Sequence, residues 1–306
     1  MIRSLSPQLQ IQAIKELNEV PERITEDIKT IREWLIKQPH LKAYDDDQTL
    51  ITFLRGCKYS LQTTKNKLDF FYTVRTLEPK LYNNRDPFSP DIQRVLNAGL
   101  IYILPETDDD GARIIIWNPS KCDPNTMPYE TLIKIGSMFM NILMMEDDNA
   151  IISGIKILVD LKNVPLQYAT QFTPLALKIH MQTVEKALPL RIKCFHFTNC
   201  PAVIEFAYNL IKSFISSKLV DRMSLHNDVE KFYTIVPQRL MPKEYGGTND
   251  SLANLQGVWK RKMESYREWF LKDVEYKSNE SLRPGEPKTW SNVFGVEGSF
   301  RKLVID

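Results

Sequence analysis

From Leu9 to Pro79 apolar residues recur at spacings of three and four: Leu9, Ile14 and Leu17, then Ile24, Ile28, Ile31, Trp34 and Leu35. That is the signature of amphipathic helices packed along one face. Thr25 with Asp27 and Ile28 marks a helix opening, and Pro39 marks a stop. Asp45, Asp46 and Asp47 precede Thr49-Leu-Ile-Thr-Phe-Leu-Arg55. Adjacent helical residues diverge, so the triplet is expected to cap the next helix and complement its N-terminal partial charge rather than to gather on a metal. Residues 1–86 are therefore expected to form a small all-α domain.

After the turn-rich stretch Asn83 to Pro90 the pattern changes. Three β-branched or aromatic runs are read as strands: Gly111 to Trp117, Gly154 to Asp160 and Ile192 to Thr198. Helical segments follow each: Pro128 to Glu146, one opened by Thr173 and Pro174, and one opened by Asn199 and Pro201 that runs to Ile215. Strand and helix alternate three times, which predicts right-handed crossovers and an α/β unit with a mainly parallel sheet over residues 87–252. Beyond Gly246-Gly247, residues 253–306 are expected to hold a helical stretch, Leu252 to Val274, and a Pro-, Gly- and Ser-rich tail that is flexible or packed down.

The 306 residues are 43% hydrophobic and 25% charged, enough apolar material for a full core. A net charge of +2 is too near neutral for a dedicated nucleic-acid-binding surface, so any basic site is local. The N-terminus lacks the apolar stretch and cleavage site of a secretory signal. Met138 to Met145, the most apolar run, is broken by Asn141 and falls far below the ~18 to 20 residues that span a bilayer. Four cysteines, Cys57, Cys122, Cys194 and Cys200, form no C-x-x-C pair. A soluble cytosolic protein with reduced thiols is the expectation.

The usual α/β chemistries are not encoded. None of the strands is followed by a glycine-rich phosphate loop; the turns read Asn118-Pro119-Ser120, Leu161-Lys162-Asn163 and Asn199-Cys200-Pro201. G-x-S-x-G is missing, and the four histidines show no metal-ligand spacing. His196, inside an apolar strand, is read as a hydrogen-bonded structural histidine. No nucleophile, base pair or metal set appears, so no enzyme, cofactor or metal is expected.

The third helix is unusual. Between Val203 and Ile215 apolar side chains point around nearly the whole circumference, interrupted by Glu205, Asn209, Lys212 and Ser213. A crossover helix against an open sheet shows one polar face to water, and each exposed large side chain forgoes ~1.5 to 3 kcal/mol of burial. Its second face calls for a cover: protein, ligand or membrane. From Lys186 to Arg222 there are six basic and two acidic residues, a local excess of positive charge in a chain whose remainder is slightly acidic. Against an anionic bilayer each such cation contributes about 1 kcal/mol, enough for reversible docking.

Several ordered motifs resemble the CRAL-TRIO lipid-binding family, in its tocopherol-transfer and retinaldehyde-binding branch. They are Gly154-Ile-Lys-Ile-Leu-Val-Asp160-Leu, Phe172-Thr-Pro, Leu188-Pro-Leu-Arg191-Ile-Lys193, Phe195-His-Phe-Thr-Asn199-x-Pro201, Leu210-Ile-Lys212-Ser-Phe214 and Leu240-Met-Pro-Lys-Glu244-Tyr-Gly246-Gly247. Phe53-Leu54-Arg55-Gly-Cys-Lys58-Tyr59 resembles the helical domain that precedes them in that family. The resemblance implies a sheet flooring an apolar cavity, with the third helix as a movable lid. It implies ligand-facing positions at Ser137, Asn141, Ile155, Val159, Phe172, Leu188 and Phe195, with Val203, Phe206, Ala207 and Leu210 on the lid. Ser137 and Asn141, one helical turn apart, are expected to orient a ligand head group. Lys134 falls where the tocopherol branch has an apolar pocket residue, which argues against tocopherol itself.

The resemblance also implies a phosphoinositide-binding cleft at Arg191, Lys193, Lys218 and Arg222; one further basic position of that cleft falls on Cys57, a departure that either weakens the site or leaves Lys58 to substitute. Leu190 stands where the phosphatidylinositol-transfer branch has glutamate, which disfavours that lipid as cargo. The function implied is a cytosolic carrier that binds a retinoid, tocopherol or similar isoprenoid and exchanges it at phosphoinositide-containing membranes, associating with them only transiently. The rival is a phosphoinositide-dependent adaptor whose helices Ile24 to Leu35 or Leu252 to Val274 recruit a protein partner.

Overall fold

A computed structural model describes residues 2–295. Five helices begin the chain: α1 (Pro7–Leu17), α2 (Ile24–Ile36), α3 (Asp47–Gly56), α4 (Leu61–Leu77) and the single turn α5 (Pro79–Tyr82). Asp46 caps α3 by accepting from the Thr49 amide at 2.9 Å, and Asp47 pairs with Arg32 at 2.6 Å. The aspartate triplet is thus a cap and a surface ion pair. One buried face of each of α2, α3 and α4 meets in a shared core of Ile31, Leu50, Leu54, Leu68 and Tyr72.

Helix α6 (Pro90–Ala98) leads into the sheet, which runs β1 (Ile101–Thr107), β2 (Arg113–Trp117), α7 (Tyr129–Glu146), α8 (Asp148–Ile152), β3 (Ile155–Asp160), α9 (Pro174–Lys186), β4 (Ile192–Thr198), α10 (Ala202–Lys212), α11 (Ser217–Val220) and β5 (Met223–His226). The strands lie in sequential order; β1 is antiparallel to β2 and all later pairs are parallel. Every parallel strand is added on the same side of the last, so right-handed crossovers deliver α7, α9 and α10 to one face. Period-two alternation then sorts the side chains. Ile101, Ile115, Ile155, Val159 and Phe197 cluster with those helices, while Tyr102, Ile114, Ile116 and Leu158 pack on the opposite face against Phe232, Leu240 and Tyr245.

Two strands escape the sequence reading. β1 carries Pro105 and pairs only with β2, and β5 is four residues long at the other edge. Edge strands need neither length nor a clean alternation. Helix α10 ends at Lys212 rather than Ile215, where Ser213 turns its hydroxyl back onto the Leu210 carbonyl at 2.7 Å. The expected helix Leu252 to Val274 is two, α12 (Leu252–Ser265) and α13 (Arg267–Asp273), broken at Tyr266. His196 is hydrogen-bonded, as expected: its Nδ1 lies 2.7 Å from His226 Nε2 on β5.

The segment from Ser278 to Ser291 is packed down. Ser278 forms a β-bridge with Leu41, Arg283 donates to Asp69 at 2.8 Å, and the Trp290 indole at the start of α14 (Trp290–Phe294) bonds Glu78. The last residues of the expected tail, 296–306, lie outside the described residues. A buried knot joins the three parts of the chain. Asp273 of α13 accepts from Arg75 of α4 at 2.7 Å and from Arg85 at 2.9 Å, all three almost fully buried.

Candidate functional site

The face of the sheet beneath α7, α9 and α10 does not close into solid core. It encloses an apolar cavity in two lobes, with about 90 Å³ of open space in the first and about 120 Å³ in the second. Trp117, Ile133, His180, Met181 and Phe195 border both lobes, so they form the neck between them. Sheet residues of one parity make the floor, α7 and α9 the walls, and the inner face of α10 the roof of the second lobe. Gly136 on α7 belongs to this construction: a Cβ there would already touch the Trp117 ring at 3.5 Å. Pockets that enclose a drug-sized ligand hold roughly 300 to 1,000 Å³. Each lobe is smaller than that, and cargo of such size needs the roof to move outward.

The expected ligand-facing residues separate into three groups. Ser137, Ile155 and Leu188 border the first lobe, Val159 and Phe172 the second, and Phe195 both. On α10, Ala207 borders the second lobe together with Ile204, Tyr208 and Ile211. Val203 and Phe206 do not face the cavity: they stand on the outer face, 51% and 67% exposed. At 100° per residue their mean direction lies roughly 100° round the helix from that of Ile204, Ala207 and Ile211, which the core claims, with Val203 at the edge next to Ala207. Leu210 is half-buried between these faces and packs on the core edge without bordering either lobe.

Asn141 is also displaced from its expected role. Its Oδ1 accepts from Arg85 at 2.5 Å inside the buried Arg75–Asp273–Arg85 knot, and it borders neither lobe. Seen along α7, Ser137 and Asn141 share a stripe, but the helix passes from cavity to knot between them. Lys134 borders neither lobe; burial pushes its ammonium below the usual lysine range, with Asp91 and Glu130 opposing that shift.

The sequence reading missed Trp117, His180, Met181 and Thr183, which border the first lobe. Trp117 shares the parity of Ile115 on β2, a signal that was available. His180 and Thr183 sit at helical spacing on the α9 face that carries Val184 and Ala187, but both are polar types that a hydrophobic pattern skips. The Tyr129 hydroxyl lies 2.9 Å from His180 Nδ1. Burial lowers the His180 pKa to about 4, so the ring is neutral at physiological pH.

A second arrangement lies where β4, α1 and the loop after α3 meet. Arg191 donates to Glu16 of α1 at 2.9 Å and to the Ile152 carbonyl; Lys193 lies 3.5 Å from the same carboxylate. Burial works to raise the Glu16 pKa, but hydrogen bonds from Gln12 and Arg191 and the charges of Lys193 and Arg191 outweigh it and hold the carboxyl at about 2. Lys58 is exposed and belongs to this cluster: burial, then the like charges of Arg191, Lys218 and Lys193, push its ammonium below the usual range. Cys57 beside it is buried and its thiol is pushed up by burial, so Lys58 rather than Cys57 presents to the surface. Lys218 is exposed, whereas the Arg222 guanidinium is bonded to the Ile192 carbonyl at the sheet edge. Four of the cations therefore converge, and one carboxylate of the chain already lies among them.

Among the described residues no helix is long and apolar enough to cross a membrane, and no cluster of three His, Cys, Asp or Glu side chains could hold a metal ion. A mainly parallel sheet with its long helices on one face, an apolar cavity and a helical roof are the architecture expected of a lipid-binding class. Residues 97–247 match the CRAL/TRIO domain and residues 20–92 a Pinta-like UBA domain, and the chain belongs to the CRAL-TRIO lipid-transfer family. Among its relatives, the mouse (Mus musculus) alpha-tocopherol transfer protein-like is 30% identical over 272 residues, spanning 88% of this chain and 78% of that protein. Clavesin-1 of Rattus norvegicus is 27% identical over 259 residues, 84% of this chain and 72% of that one. A crystal structure of Sfh5 has the same fold at 15% identity, with a TM-score of 0.52 over 89% of this chain and 100% of the other.

Proposed function

We propose that the chain is a cytosolic carrier that holds one small hydrophobic molecule, of the size of a retinoid, a tocopherol or a similar isoprenoid, and exchanges it at membranes rich in phosphoinositides. The observation that carries this reading is the apolar cavity roofed by a helix that also exposes two large apolar side chains to solvent. The inner residues Ile204, Ala207 and Ile211 cover the cavity, and Val203 and Phe206 face solvent. Burying those outer side chains in a bilayer recovers ~1.5 to 3 kcal/mol each, and this favours the roof-open state on a membrane and the closed state in water. Lys58, Arg191, Lys193 and Lys218 supply the cations that select an anionic surface. No bond is made or broken in this cycle. The curated relatives named for tocopherol transfer support the carrier class, and the half-buried Lys134 carries no argument about tocopherol because it borders neither lobe.

Native mass spectrometry of the purified chain, followed by solvent extraction, tests the reading: one apolar molecule per chain is expected. Phe206→Asp is expected to leave that stoichiometry intact while slowing transfer to phosphoinositide vesicles at least tenfold. A folded chain that binds such vesicles but never holds an apolar molecule would replace the carrier with a membrane adaptor.

A further inference from the structure

The wall of the first lobe is almost wholly apolar, and its exceptions are informative. The Ser137 hydroxyl donates to the Lys134 carbonyl at 2.7 Å and is committed to its own helix. Two other groups are not. Thr183 Oγ1 is buried and makes no hydrogen bond among the described residues. His180 uses Nδ1 for the Tyr129 hydroxyl, and its Nε2 likewise has no partner among the described residues. Tyr129 stays protonated, since burial raises its pKa, and it has no other acceptor among the described residues, so the tautomer that leaves its proton paired is the one in which its hydroxyl donates to Nδ1. In that tautomer the neutral imidazole carries its proton on Nε2. His180 and Thr183 are three residues apart on α9, hence on one face and about 5 to 6 Å apart at Cβ.

We infer that His180 and Thr183 form a polar anchor for a neutral oxygen of the cargo, a hydroxyl or a carbonyl; this rests on the carrier reading above and names the class of molecule carried. A carbonyl oxygen accepts from both Nε2–H and the threonine hydroxyl through its two lone pairs. An alcohol oxygen accepts from Nε2–H and donates to Thr183 Oγ1. A hydrocarbon of the same shape leaves the buried Thr183 hydroxyl unpaired and gives Nε2–H no acceptor, and sites built to hydrogen-bond a group discriminate strongly against analogues that lack it. A carboxylate fares badly too, because no cationic side chain borders either lobe to balance its charge. The anchor replaces the role expected for Ser137 and Asn141, and it lies at the neck, where a head group at His180 leaves a chain free to run into either lobe.

The test uses the full chain and four C20 isoprenoids of equal length: geranylgeraniol, geranylgeranial, geranylgeranoic acid and the oxygen-free hydrocarbon, each partitioned from neutral vesicles. The alcohol and aldehyde are expected to bind at least tenfold more tightly than the hydrocarbon and the acid. Thr183→Val and His180→Phe are each expected to lower alcohol and aldehyde affinity about tenfold and to change hydrocarbon affinity less than about twofold, the difference that one hydrogen bond makes. Thr183→Ser restores binding. If His180→Phe fails to fold, the Thr183 pair decides alone. Equal affinity of wild-type protein for alcohol and hydrocarbon, or an equal loss for all four probes in Thr183→Val, overturns the anchor while leaving the carrier intact; no binding of any probe overturns both.

Discussion

At the scale of single residues, burial decides what a side chain can do. His180 has a folded pKa of about 4 against an ordinary 6.5. Below pH 6.5 the unfolded chain takes up a proton that the folded chain refuses, so stability falls as pH drops from 6.5 to 4 and then levels. The full effect is about 3 kcal/mol from this one ring. A histidine-resolved NMR titration is expected to find His180 neutral at pH 5.5, and the stability gap between wild type and His180→Phe should narrow, or reverse, between pH 7.5 and 4.5. Gly56 is a second residue held by its surroundings. A Cβ there would stand 2.2 Å from the Pro189 carbonyl oxygen and 2.6 Å from its Cβ, in the segment that carries Leu188 and Leu190 into the cavity wall. Gly56→Ala is expected to destabilise the fold by about 1 to 3 kcal/mol in urea titration, because backbone rather than a flexible side chain must give way.

At the scale of elements, α1 and α10 each have two faces with different work. The first lays Leu9, Ala13 and Leu17 against Ile152 and turns Glu16 toward Arg191 and Lys193. In this position its carboxylate neutralises two of the cations that the carrier reading assigns to membrane phosphates. Glu16→Gln is therefore expected to strengthen binding to phosphoinositide vesicles several-fold at low salt, with the gain fading as salt screens it. Flotation at two ionic strengths measures this; unchanged binding would mean that α1 leaves the cluster unaided on contact with membrane. Because the Glu16 pKa is lowered to about 2, its contact is complete above pH 4.5 and is lost as pH falls toward 2, which amide exchange in α1 reports. Helix α10 shows how far an element can be read from its pattern. Its all-round apolar character was legible, yet the assignment of Val203 and Phe206 to the cavity was not, since periodicity gives the angle between side chains and not which of two apolar faces turns inward.

At the scale of the whole molecule, a buried polar knot joins distant parts of the chain alongside the apolar core. Asp273 lies between Arg75 and Arg85, and Asn141 completes the knot. Asp273→Asn would leave two buried guanidinium groups facing a neutral amide. Removing one partner of a buried ion pair costs about 3 to 5 kcal/mol, so thermal unfolding is expected to shift down by many degrees while the isolated cavity residues remain unchanged. The knot also accounts for a gap in the sequence reading: Arg75, Arg85, Asn141 and Asp273 are up to 198 positions apart, and no local pattern joins them.

Local order was therefore written in the chain. Helical spacing, strand parity, the Asp46 and Thr173 caps and the run of family motifs determine the elements and the mainly parallel sheet, because each depends on neighbours a few residues away. The tertiary structure decided what requires distance. It set which parity of the sheet floors the cavity, that Ser137 and Asn141 part company, that Lys58 and not Cys57 joins the basic cluster, and that His180 and Thr183 meet the lobe with hydrogen-bonding groups unspent. Those outcomes rest on packing and desolvation between segments that meet only when the chain has folded.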